Sequence, residues 1–359
     1  MAQKIVNGIE EILPQLKDKK FMLVCDSAYP YLKIKSLFDE IPHVEFSGFT
    51  PNPLYEQVCE GVKLFNDNAC EMIVAVGGGS TIDVAKCIKL YCRMDSSVNY
   101  LKQEMTDTGI TLIAVPTTAG TGSESTRHAV IYYEGAKQSI SHTSIVPDIA
   151  VLESSLLKTL PVYQKKCTMF DALCQACESW WNVNRTEESI GYSKQAISMI
   201  AENADKYIID NDDEAAAKIM LAANLAGRAI NITATTAAHA MSYKLTSLYK
   251  LPHGHAVAVC FAEVWQEMLD ELSADPGDKA ALLDIFKGIA EKMGYSSAQE
   301  AVTGFRAMLE KYELASPVSE NRDADIEILT ESVNPVRLKN NPVQFDKDTI
   351  RKMYLNIVK

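Results

Sequence analysis

Two hydrophobic patterns divide the chain near residue 150. In the first part, short β-rich apolar runs alternate with amphipathic segments, which is typical of strand–helix–strand units around a mostly parallel sheet. After Leu152, apolar residues recur at helical spacing instead, so the second part is predicted to be helical. The predicted strands are 21–25, 44–46, 72–76 and 111–115, and the predicted helical runs are 162–181, 188–210, 214–249, 256–272 and 279–293.

The strand signals stop at Leu160, and Pro161 suits the first turn of a helix. The sequence therefore predicts an α/β domain over 1–159 and an all-α domain over 160–359. A chain of 359 residues is long enough for two such domains. No segment repeats at a fixed period, which argues against solenoids and propellers.

Composition and charge exclude several kinds of partner. A formal net charge of −12 leaves no basic surplus for a phosphate backbone, so no nucleic acid partner is expected. No apolar run reaches the ~18–20 residues that span a bilayer, and the start of the chain lacks the apolar stretch of a signal peptide. Nine cysteines in apolar segments, with Cys174 and Cys177 in a helical run, indicate buried thiols rather than disulfides. We expect a cytoplasmic protein with no membrane partner.

A glycine-rich turn follows the third predicted strand. Residues 77–79 are three consecutive glycines, and Ser80 with Asp83 matches a capping box that opens a helix. Glycines let the backbone approach a phosphate, and the helix end supplies N–H donors, so the turn is a candidate anion site. Asp26 ends the first predicted strand, where a carboxylate could accept ribose hydroxyls and repel a 2′-phosphate. A plain tight turn and an ordinary surface Asp are the alternatives.

Four residues of the helical part could share a metal ion. Asp171 and Gln175 are four apart on one helix face, and His239 and His253 lie in later runs. In one continuous helix those histidines would be ~21 Å apart, but the proline and glycine that flank His253 are predicted to break the helix. A carboxylate, an amide oxygen and two imidazoles suit a divalent first-row cation. The alternative is that these side chains are packed core.

With these motifs the sequence resembles the iron-dependent (group III) alcohol dehydrogenase family over nearly its whole length. The resemblance implies a dehydroquinate-synthase-like architecture in which domain 1–159 binds a dinucleotide and domain 160–359 binds metal and substrate, with the metal in the cleft between them. The matching segments are 77–80 with Asp83 and Lys86, 116–124 with its threonines, 51–53, Lys137 before Pro147, and 252–254.

The resemblance also implies cofactors and site residues. It implies NAD(H) in preference to NADP(H), one divalent ion such as Fe²⁺ or Zn²⁺, interconversion of a small aldehyde and a primary alcohol, and a homodimer. The implied dinucleotide site is Asp26, Asn52, Gly78, Gly79, Ser80, Asp83, Thr117, Thr118, Thr121 and Lys137, and the implied metal ligands are Asp171, Gln175, His239 and His253.

Two residues depart from the family pattern. Gln175 stands where the family usually has a histidine ligand, and an amide oxygen is a weaker donor that changes metal affinity or selectivity. Tyr243 stands where many members carry a histidine thought to relay protons. Tyr243 through its hydroxyl, or His255, is therefore the candidate proton relay.

Arg127 follows the threonine motif and suggests a narrower substrate. Its guanidinium would offer a planar fork to a tetrahedral oxyanion. The pairing of Arg127 with Gln175 resembles the family's phosphonoacetaldehyde reductases, which interconvert that aldehyde and 2-hydroxyethylphosphonate. The alternative for Arg127 is an ion pair with an acid such as Glu134. The alternative functions are a general short-chain alcohol dehydrogenase and a catalytically silent dinucleotide-binding protein. The threonine motif and Asp26 argue against a lyase on the same scaffold.

Overall fold

The computed structural model describes residues 3–274 and 280–359. The chain forms two compact units, Met1–Leu160 and Pro161–Lys359, so the division falls one residue from the predicted boundary. Lys279, the predicted start of the fifth helical run, lies outside the described residues. No helix in the described ranges is long and apolar enough to cross a membrane.

The first unit is built on a six-stranded parallel sheet with the strand order β1-β8-β5-β4-β2-β3, and β6 and β7 form a separate antiparallel hairpin. The strands are β1 (Lys4–Val6), β2 (Phe21–Cys25), β3 (Val44–Phe46), β4 (Met72–Gly77), β5 (Thr111–Pro116), β6 (His128–Tyr133), β7 (Ala136–Ser141) and β8 (Ile149–Val151). The helices of this unit are α1 (Leu13–Leu16), α2 (Lys35–Asp39), α3 (Tyr55–Asp67) and α4 (Gly79–Tyr91).

The four predicted strands are confirmed as β2, β3, β4 and β5. Every residue of β2 and β4 is buried, because apolar side chains pack into hydrophobic clusters on both faces of the sheet. Strands β1, β6, β7 and β8 were not predicted. Strands β1 and β8 have only three residues each and β7 is mostly exposed and polar, whereas β6 alternates buried and partly buried residues.

The second unit is helical, as predicted. Its helices are α5 (Val162–Trp181), α6 (Glu187–Ile208), α7 (Asp213–Thr233), α8 (Ala237–Tyr249), α9 (His253–Ala274), α10 (Ala280–Lys292), α11 (Ala298–Lys311), α12 (Arg322–Glu331), α13 (Pro335–Leu338) and α14 (Lys347–Ile357). Helices α11, α12, α13 and α14 were not predicted. The run 214–249, predicted as one helical segment, is two helices that separate at Ala234, where φ is 62°.

The helix break predicted at the two residues that flank His253 occurs at Pro252 but not at Gly254. Helix α8 ends at Tyr249, Lys250 with a φ of 55° turns the chain, and α9 begins at His253. Gly254 therefore lies in the first turn of α9 instead of breaking a helix. A Cβ at Gly254 would lie 2.0 Å from the carbonyl oxygen of Cys167 in α5. The glycine lets the two helices touch, which brings His253 next to α5.

Candidate cofactor and metal sites

The residues expected to bind a dinucleotide follow the carboxyl ends of four neighbouring strands. Asn52 lies in the segment after β3, Asp26 follows β2, the three glycines end β4 and open α4, and Thr117 follows β5. In a parallel sheet these ends share one edge, which is where open α/β sheets bind ligands. The sheet order thus brings these four segments of the first unit together.

The glycine turn is closely packed against the threonine segment. The Thr117 N–H donates to the Gly77 carbonyl at 3.0 Å, and a Cβ at Gly79 would lie 2.9 Å from the Thr121 side chain. At Gly78 the nearest neighbour of an added Cβ would be Thr118, at 3.7 Å. The close approach at Gly79 explains why that position excludes larger residues, and it leaves the first N–H groups of α4 at the sheet edge.

The predicted capping box is wrong. Gly78 is the N-cap of α4 and makes no side-chain cap, while the Ser80 hydroxyl donates to the carbonyl of Pro51. The Asp83 carboxylate accepts hydrogen bonds from the Ser123 hydroxyl at 2.6 Å and the Val130 N–H at 2.9 Å. Both Asp83 oxygens therefore hold parts of this unit together, a structural role that the sequence analysis did not assign to it.

Lys86 extends the same network. Its ammonium is buried and donates to the Ser123 hydroxyl at 2.9 Å, the Thr126 hydroxyl at 3.1 Å and the His128 carbonyl at 2.7 Å. Burial lowers the pKa of Lys86 to about 8, although the nearby Asp83 carboxylate opposes the shift. Burial likewise raises the pKa of Asp83. This pair joins α4 to the threonine segment and to β6.

Asp26 faces the glycine turn from the end of β2. One carboxylate oxygen accepts from the Ala28 N–H at 2.9 Å, and the other from the Thr81 hydroxyl at 3.0 Å and the Gly78 N–H at 3.3 Å. The side chain is therefore fixed in place beside the expected pyrophosphate position. Its contact with a ribose stays a prediction.

The β6–β7 hairpin carries two further predicted residues. Lys137 pairs with Tyr132, whose N–H donates to the Pro53 carbonyl at 2.8 Å, so Lys137 lies near the segment that contains Asn52. Arg127 precedes β6 at the open end of the hairpin, and its carbonyl accepts from the His142 N–H at 3.0 Å. Glu134 lies in the turn at the other end.

The alternative ion pair between Arg127 and Glu134 is therefore wrong. The two residues flank β6, so seven steps of about 3.3 Å separate them by roughly 23 Å. A guanidinium cannot span that distance. Arg127 remains a candidate for substrate binding because it follows the threonine motif.

Three of the four predicted metal ligands meet in the second unit. One ligand atom from each of Asp171, His239 and His253 lies within 4.8 Å of the others. The Asp171 Oδ1 is 3.3 Å from Nε2 of His239 and 3.9 Å from Nε2 of His253. Asp171 and His239 are buried, whereas the His253 side chain is 38% exposed. The cluster is thus open on the His253 side.

Gln175 lies one helical turn after Asp171 and is buried. Its side chain hydrogen-bonds to the Asp171 carboxylate, so the amide donates there and is held beside the cluster. Burial raises the pKa of Asp171, but the hydrogen bond from His239 and the charge of His253 outweigh it, and the net shift is downward. The carboxylate is therefore ionised, as a metal ligand must be.

Glu178 is a functional residue that the sequence analysis missed. It is fully buried, and one oxygen accepts from the Thr236 hydroxyl at 2.7 Å and the His239 N–H at 3.3 Å. Its other oxygen pairs with Nδ1 of His239. This contact places the proton on Nδ1 and leaves Nε2 to face Asp171, which is how carboxylates orient metal-binding histidines. Its spacing of seven from Asp171 places it two turns along the same helix face, but that spacing alone does not distinguish it from other polar residues of α5.

Burial and the neighbouring carboxylates have opposite effects on the pKa of His239. Burial disfavours the imidazolium, but the carboxylates of Glu178 and Asp171 outweigh that effect and raise the pKa of His239 to about 9. Two buried carboxylates thus give the site a negative charge that favours a proton or a metal ion at His239. A cation in the cluster would balance it, so the donor set fits a divalent ion.

The two candidate proton relays lie in different surroundings. Tyr243 stacks on the His253 ring, with centroids 5.9 Å apart and planes at 7°. His255 faces other groups: its Nδ1 is 2.8 Å from the Tyr163 hydroxyl and its Nε2 is 2.9 Å from the Ala315 carbonyl. Both ring nitrogens of His255 are thereby engaged between α5 and the segment after α11, whereas Tyr243 lies against the cluster, so the geometry favours Tyr243, and the relay role of either residue stays a prediction.

Comparisons with known proteins agree with this geometry. Residues 2–154 match the family model for iron-containing alcohol dehydrogenase, and residues 166–358 match that for the C-terminal part of the Fe-containing alcohol dehydrogenase family. The solved structure of an iron-containing alcohol dehydrogenase from Thermococcus thioreducens has a TM-score of 0.88 and 22% identity, over 99% of this chain and 98% of that one. At that identity the likeness shows the fold.

Two curated relatives are similar in sequence. "Probable alcohol dehydrogenase EutG" of Escherichia coli is 34% identical over 222 residues, which cover 60% of this chain and 55% of that protein, so the match spans about half of that relative. The phosphonoacetaldehyde reductase of Streptomyces viridochromogenes is 29% identical over 302 residues, 79% of this chain and 75% of that protein. Since the two family models together match nearly the whole sequence, the chain belongs to the iron-containing alcohol dehydrogenase family.

Proposed function

We propose that the protein is a metal-dependent oxidoreductase that uses NAD(H) to interconvert a small aldehyde and a primary alcohol. The observation that carries this proposal is the Asp171, His239 and His253 cluster with Glu178 behind it. Family membership gives independent support, because it rests on sequence matches along both units.

The chain's own residues would prepare the reaction in the second unit. Asp171, His239 and His253 would hold the divalent ion, with Gln175 as a fourth, weaker ligand. When bound, this ion would act as a Lewis acid on a carbonyl oxygen, while NAD(H) would exchange hydride with the carbonyl carbon. Glu178 would keep His239 in the required tautomer. Tyr243, stacked on His253, would pass a proton to or from the substrate oxygen through its hydroxyl.

In the first unit, residues at the sheet edge would bind the dinucleotide. The N–H groups of Gly79 and Ser80 at the start of α4 suit a pyrophosphate, while the Gly78 N–H donates to Asp26. Asp26, fixed beside that turn, would accept ribose hydroxyls and repel the 2′-phosphate of NADP(H). A homodimer and a cytoplasmic location stay predictions from the sequence.

The narrower proposal is that the aldehyde carries an anionic group, as in phosphonoacetaldehyde. The relative of that activity in Streptomyces viridochromogenes supports it, since the match covers about three quarters of each chain. Arg127 is the residue that the sequence analysis proposed for the anion. A general short-chain alcohol dehydrogenase is the competing function and would show no preference for the charged aldehyde.

The test is a screen of NADH oxidation with small aldehydes, using protein loaded with Fe²⁺ or Zn²⁺ and protein treated with a chelator. We expect turnover only with metal. His253→Ala should lose both metal, by elemental analysis, and activity, because it removes an imidazole from the cluster. His255→Ala, two residues away in the same helix, should retain the metal.

Full metal content and activity in folded His253→Ala would overturn the metal site. If wild-type protein binds NADH but no metal-loaded form oxidises it with any aldehyde, the catalytically silent alternative is correct instead.

A further inference from the structure

We propose that Arg337 binds the negatively charged group of the substrate, so that the enzyme selects small aldehydes that carry a phosphonate or sulfonate group. This inference rests on the function proposed above. Arg337 lies in α13 of the second unit, the same unit as the Asp171, His239 and His253 cluster. The sequence analysis did not identify it.

Helix α13 is anchored beside the start of α8. The Asn340 N–H donates to the Arg337 carbonyl at 3.1 Å, so the two residues are one turn apart. The Asn340 side-chain amide donates to the Thr235 carbonyl at 3.0 Å, and the Asn340 carbonyl accepts from the Val183 N–H at 3.1 Å. The last two bonds fix the segment that carries Arg337 against the residues that precede α8 and those that follow α5.

The same anchor point leads to the metal cluster. The Thr235 hydroxyl hydrogen-bonds to Tyr243, and the Tyr243 ring stacks on the imidazole of His253. The Arg337 guanidinium is close enough for its charge to act on the Tyr243 hydroxyl. Contacts between side chains therefore connect His253 to Tyr243 and Tyr243 to Thr235, the residue on which Asn340 anchors α13.

The guanidinium has donors to offer. It is partly buried, and within the ranges 3–274 and 280–359 no side chain forms an ion pair with it. An anionic group stabilises a partly desolvated cation because its oxygens accept hydrogen bonds from the guanidinium. The planar arginine side chain can donate two such bonds to a tetrahedral oxyanion. A neutral alkyl aldehyde would leave these donors to water.

The positive charge of Arg337 would also reduce a repulsion between the cluster and an anionic substrate. Asp171 and Glu178 give the cluster two buried carboxylates, which would repel an anionic substrate. A metal ion would offset part of that charge at the aldehyde end. Arg337 would offset the negative charge at the other end of the substrate, where the oxyanion group is bonded to the carbon next to the carbonyl carbon.

The experiment compares wild type, Arg337→Met, Arg127→Met and the matched control Lys339→Met, which removes an exposed positive charge two residues away. Each protein is loaded with metal and assayed with NADH and either phosphonoacetaldehyde or propanal. Binding of 2-hydroxyethylphosphonate to metal-loaded protein without nucleotide is measured by calorimetry, which needs no turnover.

We expect wild type to prefer phosphonoacetaldehyde over propanal in kcat/KM. Arg337→Met should reduce that preference by about 10- to 100-fold, mainly through KM, and should weaken binding of 2-hydroxyethylphosphonate by a similar factor. Lys339→Met should retain the preference. Arg337→Lys should recover part of it, since it restores the charge without the fork.

The proposal is overturned if wild type turns over propanal as well as phosphonoacetaldehyde, or if Arg337→Met lowers both activities equally. It is also overturned if the preference disappears in Arg127→Met and persists in Arg337→Met. If no aldehyde is turned over by any protein, the proposed function fails, and calorimetry with wild type and Arg337→Met still decides whether Arg337 recognises the anion.

Discussion

In the second unit, the Glu178 side chain contacts both the backbone and the ring of His239. The carboxylate accepts the main-chain N–H of His239 at 3.3 Å and also contacts Nδ1 of its ring. The backbone and the imidazole of one residue are thus fixed by a single acidic side chain. Because the same carboxylate accepts from Thr236, the start of α8 is aligned with α5 before any ligand binds.

Replacing Glu178 by glutamine should weaken metal binding. In Glu178→Gln an NH₂ group replaces one of the two oxygens, and the side chain loses its charge. Whichever oxygen is replaced, the NH₂ group faces a hydrogen-bond donor. We expect the affinity for Zn²⁺ to fall about 10- to 100-fold, as measured by competition with a chelator. Glu202→Gln, an exposed change on α6, is the control. Unchanged affinity in a folded Glu178→Gln protein would contradict this role.

Gly254 should tolerate no side chain. Gly254→Ala would bring a Cβ within 2.0 Å of the Cys167 carbonyl oxygen, so α9 must move away from α5 and take His253 with it. We expect a loss of about 1–3 kcal/mol in the free energy of unfolding together with reduced metal content.

The control for that change is another helical glycine. Gly191 lies within α6 with nothing within 4 Å of an added Cβ. Gly191→Ala should therefore stabilise the protein by about 0.5–1 kcal/mol in urea unfolding. If both variants lose stability equally, the contact between α9 and α5 is not the cause.

Asp26 should set the choice of nicotinamide cofactor. Asp26→Asn retains the size of the side chain and removes the charge that would repel a 2′-phosphate, so the ratio of NADPH to NADH affinity should rise about 10-fold. Fluorescence titration of both cofactors measures it, with the exposed Asp39→Asn as control. Wild-type protein that binds NADPH as well as NADH would show that Asp26 does not face the ribose.

Lys86 should make stability depend on pH in the alkaline range. Its pKa falls from 10.5 in the unfolded chain to about 8 in the fold, so the unfolded chain binds more protons between those values. The free energy of unfolding of wild type should therefore rise with pH in that window relative to Lys86→Met, by about 3 kcal/mol over the whole interval. Urea unfolding at pH 7.5, 8.5 and 9.5 measures the difference, and a constant difference would contradict the prediction.

The sequence predicted the parts of the fold that have a strong periodic signal. Strands β2, β4 and β5 are continuous apolar runs because both faces of a parallel sheet are covered. Helix α5 was predicted at its exact bounds, since Pro161 precedes it and apolar residues recur along it. The candidate metal ligands on α5 were proposed from the spacing of Asp171 and Gln175.

Other features have no local signal. The turn before α9 depends on Lys250, whose backbone is in the left-handed conformation. Sequence patterns associate that conformation with glycine. Glu178 resembles any polar residue near the end of a helix until Thr236 and His239, about 60 positions later, pack against it. Asp83 and Lys86 were recognised as a motif, but their partners Ser123 and Val130 come from tertiary packing.

The pairing of β1 with β8 has a consequence for how the chain is made. Lys4 is in register with Ile149, so the first strand to be synthesised waits for the last strand of its sheet. At roughly 5–20 residues per second, about 145 residues of delay last on the order of ten to thirty seconds. During this interval β5 has no neighbour on its β8 side, and such an unpaired edge invites association with other chains. Nascent chains that stall before residue 149 should therefore depend on chaperones more than completed ones.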